Sequence, residues 1–187
     1  MYKKNTHTLI LTALLAVVSL ILSLVKMAVP FLPPFLTLDL SFIPIFVGLS
    51  ILGYKQTLVI SLLKNFLHFS LISHEPTGSI ANIIVEFVFL TCLVYFYKKG
   101  NVQTIIGGIV GTVAITLVMS LMNYFILLPL YGYIINLSDI VTNVKTIVAY
   151  GIIPFNIIKG LFLIILFFIT KSITSKLPSS LVGKFKN

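Results

Sequence analysis

Apolar residues in this chain fall into long runs, separated by short clusters of Gly, Pro, Lys and Asn, rather than alternating with polar ones. A helix crosses roughly 30 Å of hydrocarbon with about 20 such residues, at about 1.5 Å per residue. Read this way, the chain predicts six segments, at about 9–29, 40–52, 57–73, 79–97, 102–128 and 146–170, the second of them short for a span. The breaks between them carry turn chemistry: Gly53-Tyr54-Lys55-Gln56, His74-Glu75-Pro76-Thr77-Gly78 and Lys98-Lys99-Gly100-Asn101. Between the first two segments, Pro30 to Asp39 holds three prolines and is otherwise apolar, so it is expected to fold back over the protein rather than stand in water. In the fifth segment Gly107, Gly108 and Gly111 would let a neighbouring helix approach closely. The fold expected over 1–187 is a single all-α integral membrane bundle of six transmembrane helices, without internal repeat or soluble domain. Its first run lacks a small-residue cleavage site before Pro30 and is expected to stay as a helix.

Composition agrees: 58% of the 187 residues are hydrophobic and 9% charged, more apolar surface than one soluble core of this size can bury. The net charge of +9 points to orientation, because all the cations are lysines at the ends of apolar runs. One face of a six-span bundle would carry Lys3, Lys4, Lys55, Lys98, Lys99, Lys171, Lys176, Lys184 and Lys186 with no acid. The other would carry Asp39, Glu75 and Asp139 with Lys26 and Lys145. Lysines near helix ends are retained on the cytoplasmic side, so both termini are expected there, with the proline-rich loop outside. A basic stripe interleaved with aromatics, the footprint of nucleic-acid binding, is missing. Cys92, the single cysteine, has neither a disulfide partner nor a histidine beside it, and reads as a small buried hydrophobe.

Polar side chains inside the apolar segments are the informative ones, since each must be answered in a medium without water. Asn156 and Lys159 are three apart on one face of the sixth segment, and Asn123 lies roughly 9 Å below the outer end of the fifth. Together they would offer donors and acceptors suited to an imide-like edge of alternating N–H and C=O groups. Glue between helices is the plainer reading of the two asparagines, but an unpaired lysine at that depth calls for an acid or a ligand. On the third and fourth segments, Lys64 and Glu86 lie at matching depth, so Lys64 either forms a structural ion pair with Glu86 or faces a ligand. His68 reads as a hydrogen-bonded core histidine, and no metal site is expected. Thr12, Ala16, Ser19 and Ser23 form a ridge of small residues for a neighbouring helix. Phosphate-loop, nucleophile-elbow and zinc-protease motifs are missing, so the chain is not expected to be an enzyme or to hydrolyse ATP by itself.

Several short motifs, in order, resemble the riboflavin-specific S-components of energy-coupling factor (ECF) vitamin transporters. They are Pro33-Pro34-Phe35-Leu36-Thr37-Leu38-Asp39, Lys64-Asn65-Phe66-Leu67-His68, Thr77-Gly78 with Ala81-Asn82, Met122-Asn123-Tyr124-Phe125 with Pro129-Leu130-Tyr131-Gly132, and Pro154-Phe155-Asn156-Ile157-Ile158-Lys159-Gly160. The resemblance implies a substrate-binding subunit that captures riboflavin outside the cell, uses no catalytic cofactor, and works with a transmembrane coupling subunit and two ATP-binding cassette ATPases. Carried onto this chain, the flavin contacts fall on Asn123, Asn156 and Lys159. The lid falls on Phe35, Leu38 and Asp39, and loop contacts on Thr77 and Gly78. Docking on the coupling subunit falls on Thr12, Ala13 and Ala16, although the family's Ala-x-x-x-Ala is broken here by Val17. An S-component for another vitamin (thiamine, biotin or folate) stays open, as does a lipid-modifying membrane enzyme, which would need paired acids that four scattered ones do not supply.

Overall fold

The computed structural model describes residues 2–97, 100–135, 140 and 142–176, with the side chains of residues 2–5 left out. Six helical rods dominate. The first is α1 (Tyr2–Ser23), and a loop then carries two two-residue strands, β1 (Met27–Ala28) and β2 (Thr37–Leu38), paired antiparallel with Met27 opposite Leu38. Next come α2 (Phe42–Ile51), α3 (Tyr54–His68) extended by a π turn (Phe69–Ser73), and α4 (Pro76–Tyr97). The fifth rod joins α5 (Asn101–Met122), a π turn (Asn123–Leu127) and α6 (Leu128–Ile134). The sixth joins α7 (Val144–Ile147), a π turn (Val148–Ile152) and α8 (Ile153–Thr174). Neighbouring rods close a ring in the order α1, α2, α8, α5, α4, α3 and back to α1.

Four of these helices are long and apolar enough to cross a membrane: Thr6–Ser23, Pro76–Tyr97, Asn101–Ile134 and Val144–Thr174. Along α8, Ile157, Leu161, Ile165, Ile169 and Ile173 are exposed at every fourth position, a continuous apolar stripe on its outer face. At ten residues α2 is roughly 15 Å long, half of a bilayer core. It is also deeply packed, with Ile45 and Phe46 fully buried.

Several boundaries differ from expectation for local reasons. The first helix stops at Ser23, six residues early, because the chain leaves it through a turn at Leu24 and Val25 to form the β1–β2 ribbon, a strand element not expected in an all-α fold. The fifth rod runs through Pro129 to Ile134, past its expected end at 128, and the sixth runs through Pro154, which its expected bounds already enclosed. A proline cannot donate to the carbonyl four residues back, and each of these two follows a π turn by two residues, where the ladder is already respaced.

The ridge on α1 faces inward. Thr12, Ala16, Ser19 and Ser23 are all buried within this chain, and Ser19 Oγ donates to the Ser41 carbonyl at 2.6 Å. The docking surface expected on Thr12 and Ala16 is therefore occupied by the protein's own helices, while Ala13 stays exposed. Cys92 is half-buried beside Gly111, where α4 meets α5, rather than sealed in the core. The α5 glycines are contact points: an added Cβ at Gly108 would lie 2.6 Å from Ile164 Cγ1, and one at Gly107 2.7 Å from Phe96 Cβ.

Between α3 and α4 lies a buried polar cluster. Glu86 accepts from Lys64 Nζ, from Ser61 Oγ, and from Asn65 Nδ2 at 2.8 Å, and Lys64 also reaches Ser41 Oγ at 3.4 Å. Lys64 and Glu86 form the one ion pair among the described residues. Two opposite charges with their remaining valences filled can be held in a dry core; burying one alone costs far more.

Three variants test this packing. Gly160→Ala places a Cβ 2.6 Å from Thr112 Cβ, a stiff branched side chain, and should cost about 1–3 kcal/mol and lower the melting temperature in detergent; an unchanged value would contradict the close α5–α8 approach. Lys64→Met strands the Glu86 carboxylate and should cost about 3–5 kcal/mol, whereas Lys64→Met with Glu86→Leu should recover much of that. If the double variant is no more stable than Lys64→Met alone, the pair is not what stabilises this interface.

Candidate ligand-binding site

Three structural layers build a cavity of about 380 Å³ at the end of the bundle that carries the β1–β2 loop, within the range of roughly 300–1,000 Å³ typical of small-molecule pockets. Its wall comes from α4 (Ala81, Asn82, Val85), α5 and its π turn (Met119, Asn123, Leu127) and α8 (Phe155, Asn156, Lys159). One helical turn further in, Phe89, Ile115 and Leu163 are buried to 1% or less and close the floor.

The loop from Pro34 to Asp39 lies over this opening and is fastened at several points. Phe35 packs on Tyr131 of α6 with ring centroids 5.5 Å apart. Pro33 rests against Gly151, where an added Cβ would come within 3.2 Å of its Cγ. Asp39 Oδ1 accepts the Ser41 N–H at 2.8 Å, a short-range turn that sets the start of α2. Thr37 and Asp39 line the cavity and Leu38 does not; Leu38 packs against the hydrophobic core instead. That removes Leu38 from the expected contacts and adds Leu36 and Thr37.

The polar trio does converge on the cavity. Asn123 and Asn156 each donate Nδ2 to the carbonyl four residues back in their own helix, Met119 and Ile152, both at 2.8 Å. This fixes the rotamers and leaves each amide oxygen, with the second N–H, for the cavity. Asn65 makes the same backbone bond at 2.9 Å but gives its other N–H to Glu86, so it belongs to the buried cluster. Lys159 is 6% exposed; its Nζ donates to Asn82 Oδ1 at 3.1 Å and lies 5.7 Å from the centroid of the Phe155 ring. The pocket thus presents two neutral acceptors and one strong cationic donor on an otherwise apolar wall.

Thr77 and Gly78 line the mouth, but their donors are already engaged. The Glu75 carboxylate takes the Thr77 hydroxyl, the Thr77 N–H at 2.6 Å and the Gly78 N–H at 3.2 Å, capping the N-terminus of α4 just before Pro76. His68 lines the cavity with Nδ1 3.4 Å from Ser79 Oγ, and His74 has φ 50° where it terminates the π turn after α3. Lys64 and Glu86 are not part of the lining. The sequence reading passed over Asn82, Glu75 and Tyr131. Asn82 had the clearest signal, as a polar residue one turn before Glu86 on an apolar helix.

The family model for "ECF transporter, substrate-specific component" matches residues 7–170. The chain belongs to this family. Over 166 residues it is 39% identical to the riboflavin transporter RibU of Staphylococcus aureus (strain TCH60), covering 88% of each sequence. It is 30% identical over 167 residues to the riboflavin transporter FmnP of Bacillus subtilis (strain 168), covering 85% of this chain and 87% of that one. A solved structure described as "Structure and mechanism of the S component of a bacterial ECF transporter" superposes with a TM-score of 0.78 at 34% identity, over 91% of this chain and 96% of the other.

The lid contact is testable without knowing the ligand's pose. Gly151→Val drives a side chain into Pro33 and should loosen the lid, exposing the Phe35–Tyr131 contact to limited proteolysis; a lid as protected as in the parent protein would show that Gly151 does not hold it.

Proposed function

We propose that this chain is the riboflavin-binding S-component of an ATP-driven ECF importer, taking the vitamin from the outer face of a bacterial cytoplasmic membrane. The carrying observation is the polar set Asn123, Asn156 and Lys159 on the apolar wall of a lidded cavity. A flavin's pyrimidine edge has an N–H between two carbonyls. Asparagine oxygens suit the N–H, while the lysine and the spare amide N–H groups suit the carbonyls. The dimethylbenzene end suits Phe155, Met119, Val85 and Leu127, and the ribityl hydroxyls suit the mouth, where Thr37, Asp39 and His68 stand. Names of the relatives support the same ligand.

In this reading all six rods lie across the membrane, with the lid end outside. Lys55, Lys171 and Lys176 mark the opposite end, which fits both termini being cytoplasmic. The short α2 spans together with the lid segment that precedes it. The chain carries no ATP site of its own, so a transmembrane coupling subunit and two ATPases supply the energy. Ala13 on the exposed side of α1 is the remnant of the expected docking surface.

Titration of riboflavin fluorescence with purified protein tests the reading. The parent protein should quench it saturably, and Asn156→Ala and Lys159→Ala should each weaken binding by about tenfold or more, the equivalent of roughly 1.5–3 kcal/mol for a hydrogen bond to a charged or buried partner. Protein that leaves riboflavin unquenched but binds thiamine or biotin would keep the fold and move the substrate. Unchanged affinity in both variants would make the trio scaffolding.

A further inference from the structure

Two lysines are buried in this bundle and are treated differently. Lys64 is answered by Glu86 in the only ion pair among the described residues. Lys159 is answered by Asn82, a neutral amide, at 3.1 Å, and by the face of Phe155. Both acceptors come from α4, and residues 82 and 86 are one turn apart on that helix, so the same element offers an acid to one lysine and an amide to the other. An amide oxygen takes one of the three ammonium donors and cancels none of its charge. A carboxylate in the same place would take the charge as well, and a ligand carbonyl would have to displace it.

We infer that Asn82 is a positioning and specificity-determining residue: it fixes the Lys159 ammonium against the cavity wall without an ion pair, leaving it to the electron-rich edge of the ligand, while the cavity's own acids, Asp39 and Glu75, stand beyond ion-pair distance. This rests on the flavin reading of the site. Three features of the geometry carry it. Asn82 and Lys159 are 77 residues apart in sequence, yet meet inside the lining. Lys159 is 6% exposed, so bulk solvent reaches little of it. Its flexible four-carbon stem needs a fixed acceptor if the ammonium is to keep one position. The ligand-free protein is less stable for holding an unmatched charge, as expected where a site is built for binding rather than for stability.

The test compares Asn82→Asp with Asn82→Ala in the full-length protein purified in detergent. The two readouts are the melting temperature without ligand and the riboflavin affinity by fluorescence quenching. Asn82→Asp has almost the same shape, so it should raise the ligand-free melting temperature by about 2–4 °C, by giving Lys159 a counter-charge, and yet weaken riboflavin binding by about tenfold or more. Asn82→Ala should weaken binding without any rise in melting temperature. Opposite movement of stability and affinity in Asn82→Asp is a pattern that a merely structural residue does not give. If Asn82→Asp lowers both together, or fails to fold, Asn82 is a packing residue and the inference is wrong. It is equally overturned if riboflavin affinity stays within about twofold of the parent in both variants. Should the parent protein not bind riboflavin at all, the flavin reading falls by itself. The ligand-free melting temperatures then decide the charge argument, a rise in Asn82→Asp alone upholding it and no rise refuting it.

Discussion

A charged side chain held between close-packed helices has to be neutralised, hydrogen-bonded or reached by a ligand, because no water is present to solvate it. The architecture of this protein follows from meeting that requirement twice. Lys64 is met from within, by Glu86, Ser61, Asn65 and Ser41 acting together, and this cluster ties α3 to α4 and to the start of α2. Lys159 is met only in part, by Asn82, and the part left unmet opens on a cavity. In the proposed reading one lysine stabilises the bundle and the other serves the ligand.

Backbone features put the binding groups in place. Prolines at 129 and 154 forbid a regular ladder at the lid end of two rods, and each rod answers with a π turn two residues earlier. Asn123 opens the first of these turns, and the Asn156 amide is held by the carbonyl of Ile152, the last residue of the second. π turns recur at functional sites because an extra residue re-aims the side chains around it. Glycines do the complementary work deeper in the bundle: Gly108 and Gly160 let α5 and α8 approach until a single methyl group would collide. The cavity is thus wide where the helices are respaced and closed where they touch.

Much of this was legible in the chain of residues, and the limits are physical. Apolar runs announce helices because burial and lipid solvation both act on side chains, and the depth of Asn123, Asn156 and Lys159 follows from helix rise alone. Boundaries were less legible. Pro129 looked like a stop because a proline's missing N–H is visible in sequence, whereas the π turn that absorbs it is a property of the folded rod. The β1–β2 ribbon was invisible for the same reason, since its two-residue strands carry no periodic pattern. Which face of α1 points inward was also hidden. Thr12, Ala16, Ser19 and Ser23 form a small-residue ridge that suits a partner and a neighbouring helix equally, and only packing shows that the neighbour is already there. Leu38 was misplaced as well: it packs against the core, while Thr37 and Asp39 on either side of it line the cavity.

The central claim is that the ammonium of Lys159, which forms no ion pair with an acid among the described residues, is matched by the ligand's polar edge. A structure of the protein with riboflavin bound tests it most directly. The account requires the pyrimidine edge of the flavin to lie within hydrogen-bond reach of Lys159 Nζ and of the Asn123 and Asn156 amides, beneath a closed Pro34–Asp39 lid. A flavin bound elsewhere, with Lys159 still resting only on Asn82 and Phe155, would contradict it.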